Sequence, residues 1–230
     1  MSVERYPEKI SAVVWDFDDT LVDSMDARVS ALAQVFRDTD IGNIDPQHFL
    51  LNLREPTFGL ALASLAQSLR RPPDLYDRYK SLYWTKEPGL LRLYPGVSDV
   101  LAMLTREEIP LAVVTQKSRH FQIDGVLAGV AVELEELGLA GLFPVVIGVD
   151  DVQETKPHPE GILMALERIG VQPENALMIG DTVTDIQAAK AAGCWSCLAT
   201  WGVPDGASRA ERSNPDMVVD TPGDLLKLRF

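Results

Sequence analysis

Several short stretches carry side chains that could do chemistry, and the densest is Val13-Val14-Trp15-Asp16-Phe17-Asp18-Asp19-Thr20-Leu21. Asp16 and Asp18 are two positions apart, so on extended backbone their carboxylates point to the same side. At roughly 4 Å two such charges repel by about 4 kcal/mol at an effective dielectric of about 20. A fold accepts that cost where a cation or a reaction needs the charges, although Asp also serves simply to cap a following turn or helix. A second acidic pair lies far downstream in Gly180-Asp181-Thr182-Val183-Thr184-Asp185. Asp181 ends an apolar run, and Asp185 falls in the first turn of the helix expected to follow. That spacing can bring both carboxylates to one hard cation. Mg2+ takes oxygen ligands and keeps several waters, so a few carboxylates suffice. Thr182 and Asp185 also fit a weak capping box, and both readings stand.

Other polar groups are placed in the same way. Lys156, in Glu-Thr-Lys-Pro-His-Pro, is kept on an extended path by two prolines, which favours an inward ammonium over a solvated one. Thr115 closes the apolar run Leu111-Ala112-Val113-Val114 and is followed by Gln116; a helix N-cap would account for its hydroxyl as well. Arg54 and Thr57 flank Pro56 between two expected helices, where a solvated Arg and an N-cap Thr are the plain alternative. Cys194 and Cys197 form a C-x-x-C pair, but no second pair of soft ligands exists and His48, His120 and His158 are scattered. They read as ordinary thiols.

The elements that must position these groups follow from the apolar pattern. Short apolar runs at 13–15, 111–114, 144–148, 176–179 and 194–200 read as strands of a parallel sheet buried on both faces. A polar loop from Trp201, an edge strand at 217–219 and a terminal helix at 224–228 complete that part. Between Asp23 and Arg92 the period becomes helical, at 27–36, 48–53, 58–69 and 75–86, with no strand. Gly125 and Gly129 interrupt 118–138, which predicts a break or loop before a helix at 130–137; the extra length there has no assigned role. The expected fold is therefore α/β: a Rossmann-like, doubly wound, mainly parallel sheet from 1–22 and 91–230, with an all-helical cap inserted at 23–90. Ligands bind such sheets at the carboxyl ends of the strands, where the polar groups lie.

Composition narrows the classes. With 230 residues there is room for one large domain or one domain with an insertion. The 34 acidic residues outnumber the 21 basic ones, for a formal charge of −13, which argues against a general nucleic-acid surface. An anionic substrate would need a locally cationic site. No apolar run approaches the roughly 20 residues needed to cross a bilayer, and the polar start, Met1 to Lys9, does not read as a signal peptide. No membrane partner and a cytoplasmic location are expected.

In order and context these segments resemble the motifs of the haloacid-dehalogenase-like hydrolase superfamily, and the resemblance covers almost the whole chain. Asp16-Phe17-Asp18-Asp19-Thr20 is similar to its D-x-D-x-T motif, and Thr115 to the hydroxyl residue of its second motif. Lys156 before Pro157 is similar to the third, and Gly180-Asp181 through Asp185 to G-D-x-x-x-D. The runs 146–159 and 180–193 look most like the phosphoglycolate-phosphatase branch. The resemblance implies a Mg2+-dependent phosphatase hydrolysing a small phosphate ester such as phosphoglycolate. Asp16 would form a transient aspartyl phosphate, and Asp18 would protonate the leaving oxygen and then activate water. Thr115 would bond a phosphoryl oxygen, and Lys156 would neutralise phosphate and nucleophile. Asp16, Asp18, Asp181 and Asp185 would gather around Mg2+. Gln116, Arg54 and Thr57 fall on the substrate side, Arg54 pairing with a negative group of the leaving part. The charge balance points the same way, because Lys156 offsets one of four carboxylates and the phosphate adds nearly two more charges. Asp19 stands where that branch usually has Gly, Gln116 for Asn, and Val149 often for Gly. A phosphomutase or pyrophosphatase on the same scaffold is the nearest alternative, and a low-turnover ligand-binding or regulatory protein of this fold another. Substrate identity and oligomeric state are not legible.

Overall fold

The apolar run that ends at Asp16 forms the strand Ala12–Trp15, every residue of which is buried. In the computed structural model, which describes residues 9–53, 58–203 and 205–230, this strand (β1) is the first of a six-stranded sheet. The others are Leu111–Val114 (β2), Val145–Ile147 (β3), Ala176–Gly180 (β4), Trp195–Ala199 (β5) and Met217–Val219 (β6). Neighbours are parallel, in the order β6-β5-β4-β1-β2-β3. The chain therefore steps outward from β1 to β3, then crosses back to β4 on the far side of β1. That reversal opens a crevice between the carboxyl ends of β1 and β4, the place where open α/β sheets take ligands. The register sets Trp15 opposite both Val113 and Ile179, so the residues after β1, β2 and β4 emerge along one edge. The fold is the α/β class expected.

Alternation explains why these strands are apolar throughout. Ala12 and Val14 join Ala112, Val114, Ile147 and Met178 in a core with Ile162, Ala165 and Leu166 of the helix Glu160–Ile169 and Ala188 and Ala189 of Val183–Ala192. Val13 and Trp15 point to the other face and are equally buried. Among the described residues no helix is long and apolar enough to cross a membrane.

The chain divides into two compact units. One holds the described residues up to Asp23, Arg92–Phe121 and Gly129–Phe230; the other holds Ser24–Leu91 and Gln122–Ala128. Helices Met25–Asp38, Pro46–Leu51, Phe58–Leu69 and Leu75–Trp84 build the second unit. Asp45 starts one of them by accepting from His48 N at 2.6 Å. Edge-on aromatic contacts tie them together, Phe36 to Phe49 at 5.9 Å, Phe49 to Phe58 at 6.5 Å and Phe58 to Tyr79 at 4.6 Å.

Three stretches differ from the pattern-based expectation. Within 118–138 the chain forms a hairpin, Phe121–Ile123 with Val126–Ala128. Its turn is Asp124-Gly125, both at positive φ (51° and 78°), the conformation a two-residue hairpin turn requires. A helix, Val130–Glu136, follows it. After Trp201 the polar sequence forms a helix at Gly206–Ser213, and the C-terminal helix is a 3-10 segment at Pro222–Lys227.

Candidate active site

Asp16, Asp181 and Asp185 converge at the β1/β4 crevice. All three are buried, and each offers an oxygen within 4.8 Å of the others. Asp16 follows β1 directly, its N donating to Ile179 O at 2.8 Å. Asp181 follows β4, and Thr20 Oγ1 donates to its Oδ1 at 3.2 Å. Asp185 sits in the first turn of Val183–Ala192, where the two readings of its position prove compatible. Thr182 N donates to Asp185 Oδ2 at 2.9 Å and Asp185 N donates to Thr182 Oγ1 at 3.2 Å, a capping box. The other oxygen, Oδ1, lies 2.6 Å from Lys156 Nζ. Residue 180 must be Gly, because a Cβ there would collide with the Asp185 carboxylate.

Lys156 is the buried cation of the group. Its Nζ lies 2.5 Å from Asp16 Oδ1 and donates to Val114 O at 2.9 Å. Burial opposes its charge, but Asp16 and Asp185 outweigh that and raise its pKa. Burial pushes the Asp16 carboxyl up to about 7; Lys156 opposes the shift, and Asp185 and Asp18 add to it. Asp181 is raised well above the ordinary carboxylate range, again by burial first, then by Asp16, Asp185 and Asp19, with Arg209 acting against. Three buried carboxylates outnumber the cations beside them, the Lys156 ammonium and the Arg209 guanidinium 3.6 Å from Asp181. The donor set is all carboxylate oxygen, which fits a hard divalent cation such as Mg2+.

Asp18 takes a different partner. Its Oδ1 is 3.0 Å from Lys117 Nζ, and the carboxylate is not one of the three converging oxygens. Thr115 is buried at the end of β2, its Oγ1 accepting from Lys117 N at 3.2 Å. Gln116 is exposed and donates from Nε2 to Lys156 O at 3.4 Å. Asp19 adopts a left-handed φ of 61°, with Tyr94 OH donating to its Oδ1 at 3.4 Å. Arg54 and Thr57 lie outside the described residues.

Residues 13–199 match the family model of the haloacid dehalogenase-like hydrolases. The chain belongs to that family. The phosphoglycolate phosphatase of Shigella boydii serotype 4 (strain Sb227) is 34% identical to it over 244 aligned positions, covering 95% of this chain and 92% of the relative. The phosphoglycolate phosphatase of Escherichia coli (strain K12) is likewise 34% identical, with the same coverage. Among solved structures, a haloacid dehalogenase-like hydrolase from Streptococcus pneumoniae is 25% identical and superposes with a TM-score of 0.75, covering 95% of this chain and 97% of the other.

Asp16, Lys156, Asp181 and Asp185 of this haloacid dehalogenase-like hydrolase thus come together, and the structure adds residues the pattern did not single out. Lys117 bridges Asp18 and the buried Glu133, which it meets at 2.8 Å. Arg209 donates to Asp181 O and Val203 O, with Nη1 3.6 Å from Asp181 Oδ2. Trp201 Nε1 donates to Thr20 O at 2.9 Å. Glu133 had a faint signal, since it shares helical spacing with Val130, Leu134 and Leu137 and so falls on an apolar face. Arg209 had none, because its helix reads as polar. Both cysteines are buried; burial, with Glu174 adding, pushes the Cys194 thiol up to about 12, and burial raises Cys197 as well. They are inert thiols near neutral pH.

Proposed function

We propose that this hydrolase is a Mg2+-dependent phosphatase acting on a small phosphorylated metabolite, phosphoglycolate or a close analogue, in the cytoplasm, through a phosphorylated Asp16. One observation carries the reading: two further buried carboxylates, Asp181 and Asp185, and a buried lysine converge on Asp16 at the sheet's topological switch. The phosphoglycolate phosphatases among its relatives support the substrate class.

Asp16, Asp181 and Asp185 would hold the ion. When bound, Mg2+ screens the nucleophile from the phosphate dianion and polarises phosphorus. An Asp16 oxygen attacks phosphorus, the bond from phosphorus to the ester oxygen breaks, and Asp18 gives its proton to that oxygen. Asp18, now a carboxylate, takes a proton from a water whose oxygen attacks the same phosphorus. The bond to Asp16 breaks, inorganic phosphate leaves, and both aspartates return to their starting states. Lys156 offsets the charge on Asp16 and on the phosphoryl oxygens, and the Thr115 hydroxyl donates to one of them. By the family resemblance, Arg54 and Thr57 would select the substrate's leaving part and Gln116 would bind the substrate. Arg54→Ala should lower kcat/KM for anionic phosphate esters by about tenfold or more, the scale of a lost hydrogen bond to a charged group.

A panel of phosphorylated metabolites tests the function. Phosphate release should be fastest from small carboxylated or sugar phosphates, require Mg2+ and vanish with EDTA. Transfer between positions of a sugar phosphate without phosphate release would assign a mutase instead, and no turnover of any ester would overturn the reading.

A further inference from the structure

We infer that Glu133 is a positioning residue, which holds Lys117 and, through it, the carboxylate of Asp18 in the orientation that proton transfer needs. The inference rests on the acid–base role proposed for Asp18. Glu133 is 2% exposed, on the inward face of Val130–Glu136. A carboxylate so deep is tolerated only when paired, and its partner is Lys117 Nζ at 2.8 Å. The same ammonium reaches Asp18 Oδ1 at 3.0 Å and lies 5.0 Å from the centre of the Phe17 ring, between the two catalytic aspartates in sequence. Asp18 itself is in a turn with a side chain 25% exposed, and a lysine anchored from behind fixes the charge that it faces.

The backbone on either side of Lys117 is held as firmly. Val130 N donates to Ser118 O at 3.0 Å and Ala131 N to Arg119 O at 3.3 Å, which pins the helix carrying Glu133 to the segment carrying Lys117. On the opposite side Val149 N donates to Lys117 O at 3.0 Å, Arg119 N donates to Asp150 Oδ1 at 2.5 Å, and Arg119 Nε reaches Asp151 Oδ2 at 2.9 Å. A purpose is thereby given to the length between β2 and β3: it returns the chain so that Glu133 lies beneath Lys117.

Leaving-group dependence tests this, because proton donation by Asp18 matters to a poor leaving group and hardly at all to a good one. An alkoxide such as that of phosphoglycolate needs the proton; p-nitrophenolate leaves without it. With Mg2+ present, Glu133→Gln should lower kcat/KM for phosphoglycolate about 10- to 100-fold, part of the span of general acid catalysis, and that for p-nitrophenyl phosphate far less. Lys117→Met should show the same signature, the double variant should be no worse than the single ones, and Glu133→Asp, which keeps the charge, should recover part of the loss. The ratio of the two substrates is independent of the folded fraction, so partial misfolding does not mask the result. Equal losses for both substrates, or a rise in KM for phosphoglycolate with kcat unchanged, would overturn the inference while leaving the phosphatase intact. A wild-type protein that hydrolyses neither ester would bring down the proposed function and this inference with it.

Discussion

Lys156 is the side chain on which the charge balance of the site turns. It is the ammonium that meets both Asp16 and Asp185, at 2.5 and 2.6 Å. Removing one partner of a buried ion pair costs about 3–5 kcal/mol, because the other charge stays buried. Lys156→Ala should therefore destabilise the protein by about 3 kcal/mol in denaturant melts without divalent cation, and abolish phosphate release. Asp19 makes the opposite case. Its φ of 61° costs a non-Gly residue about 1–2 kcal/mol, which Gly would recover at an entropic cost of about 0.5–1 kcal/mol. Asp19→Gly should change stability by about 1 kcal/mol or less and keep turnover, measured by melts and steady-state kinetics. Asp16, Lys156, Asp181 and Asp185 were legible because each directly follows, or lies one turn beyond, a buried strand, or is held by prolines. Lys117 and Arg209 were not, because their roles depend on partners far away in the chain, Glu133 in one case and Asp181 in the other.

At the level of elements, the helix Val183–Ala192 does two tasks with one residue, since Asp185 both closes the capping box and faces the carboxylate cluster. Thr182→Ala removes the cap's hydroxyl, which costs about 1 kcal/mol, and leaves Asp185 Oδ2 held by the N–H of residue 182 alone. The Mg2+ concentration for half-maximal activity should rise several-fold, by about as much as that energy allows, with kcat at saturating Mg2+ little changed. Mg2+ titrations of activity and of thermal stability read this directly. The strands were legible as short apolar runs because both faces of the sheet are covered. The hairpin is harder to read: Asp-Gly between Phe121–Ile123 and Val126–Ala128 is a strong turn signal, but in an otherwise helical pattern Gly125 reads equally as an interruption. The helix Gly206–Ser213 escaped because its polar sequence has no apolar stripe, and it is held instead by the buried Arg209.

For the molecule as a whole, burial of acid makes stability depend on pH and on divalent cation together. Asp16 is raised from the ordinary carboxylate value to about 7, and Asp181 shifts the same way. A raised folded-state pKa means that the native state binds the proton more tightly than the unfolded chain. The contribution is fully present below about pH 4 and lost as pH rises through about 7. Without divalent cation, these groups should lower the melting temperature as pH rises from about 5 to 8. Mg2+ competes with those protons, so its stabilising shift should grow over the same range; a shift that shrank with pH would contradict a carboxylate-held ion. The most direct test of the mechanism is chemical quenching during turnover, followed by peptide mapping of the trapped phosphoenzyme. The acyl phosphate is expected on Asp16 alone and absent from Asp16→Asn, which should not turn over. Near-normal activity of Asp16→Asn, or a phosphoryl group trapped on another residue, would contradict it.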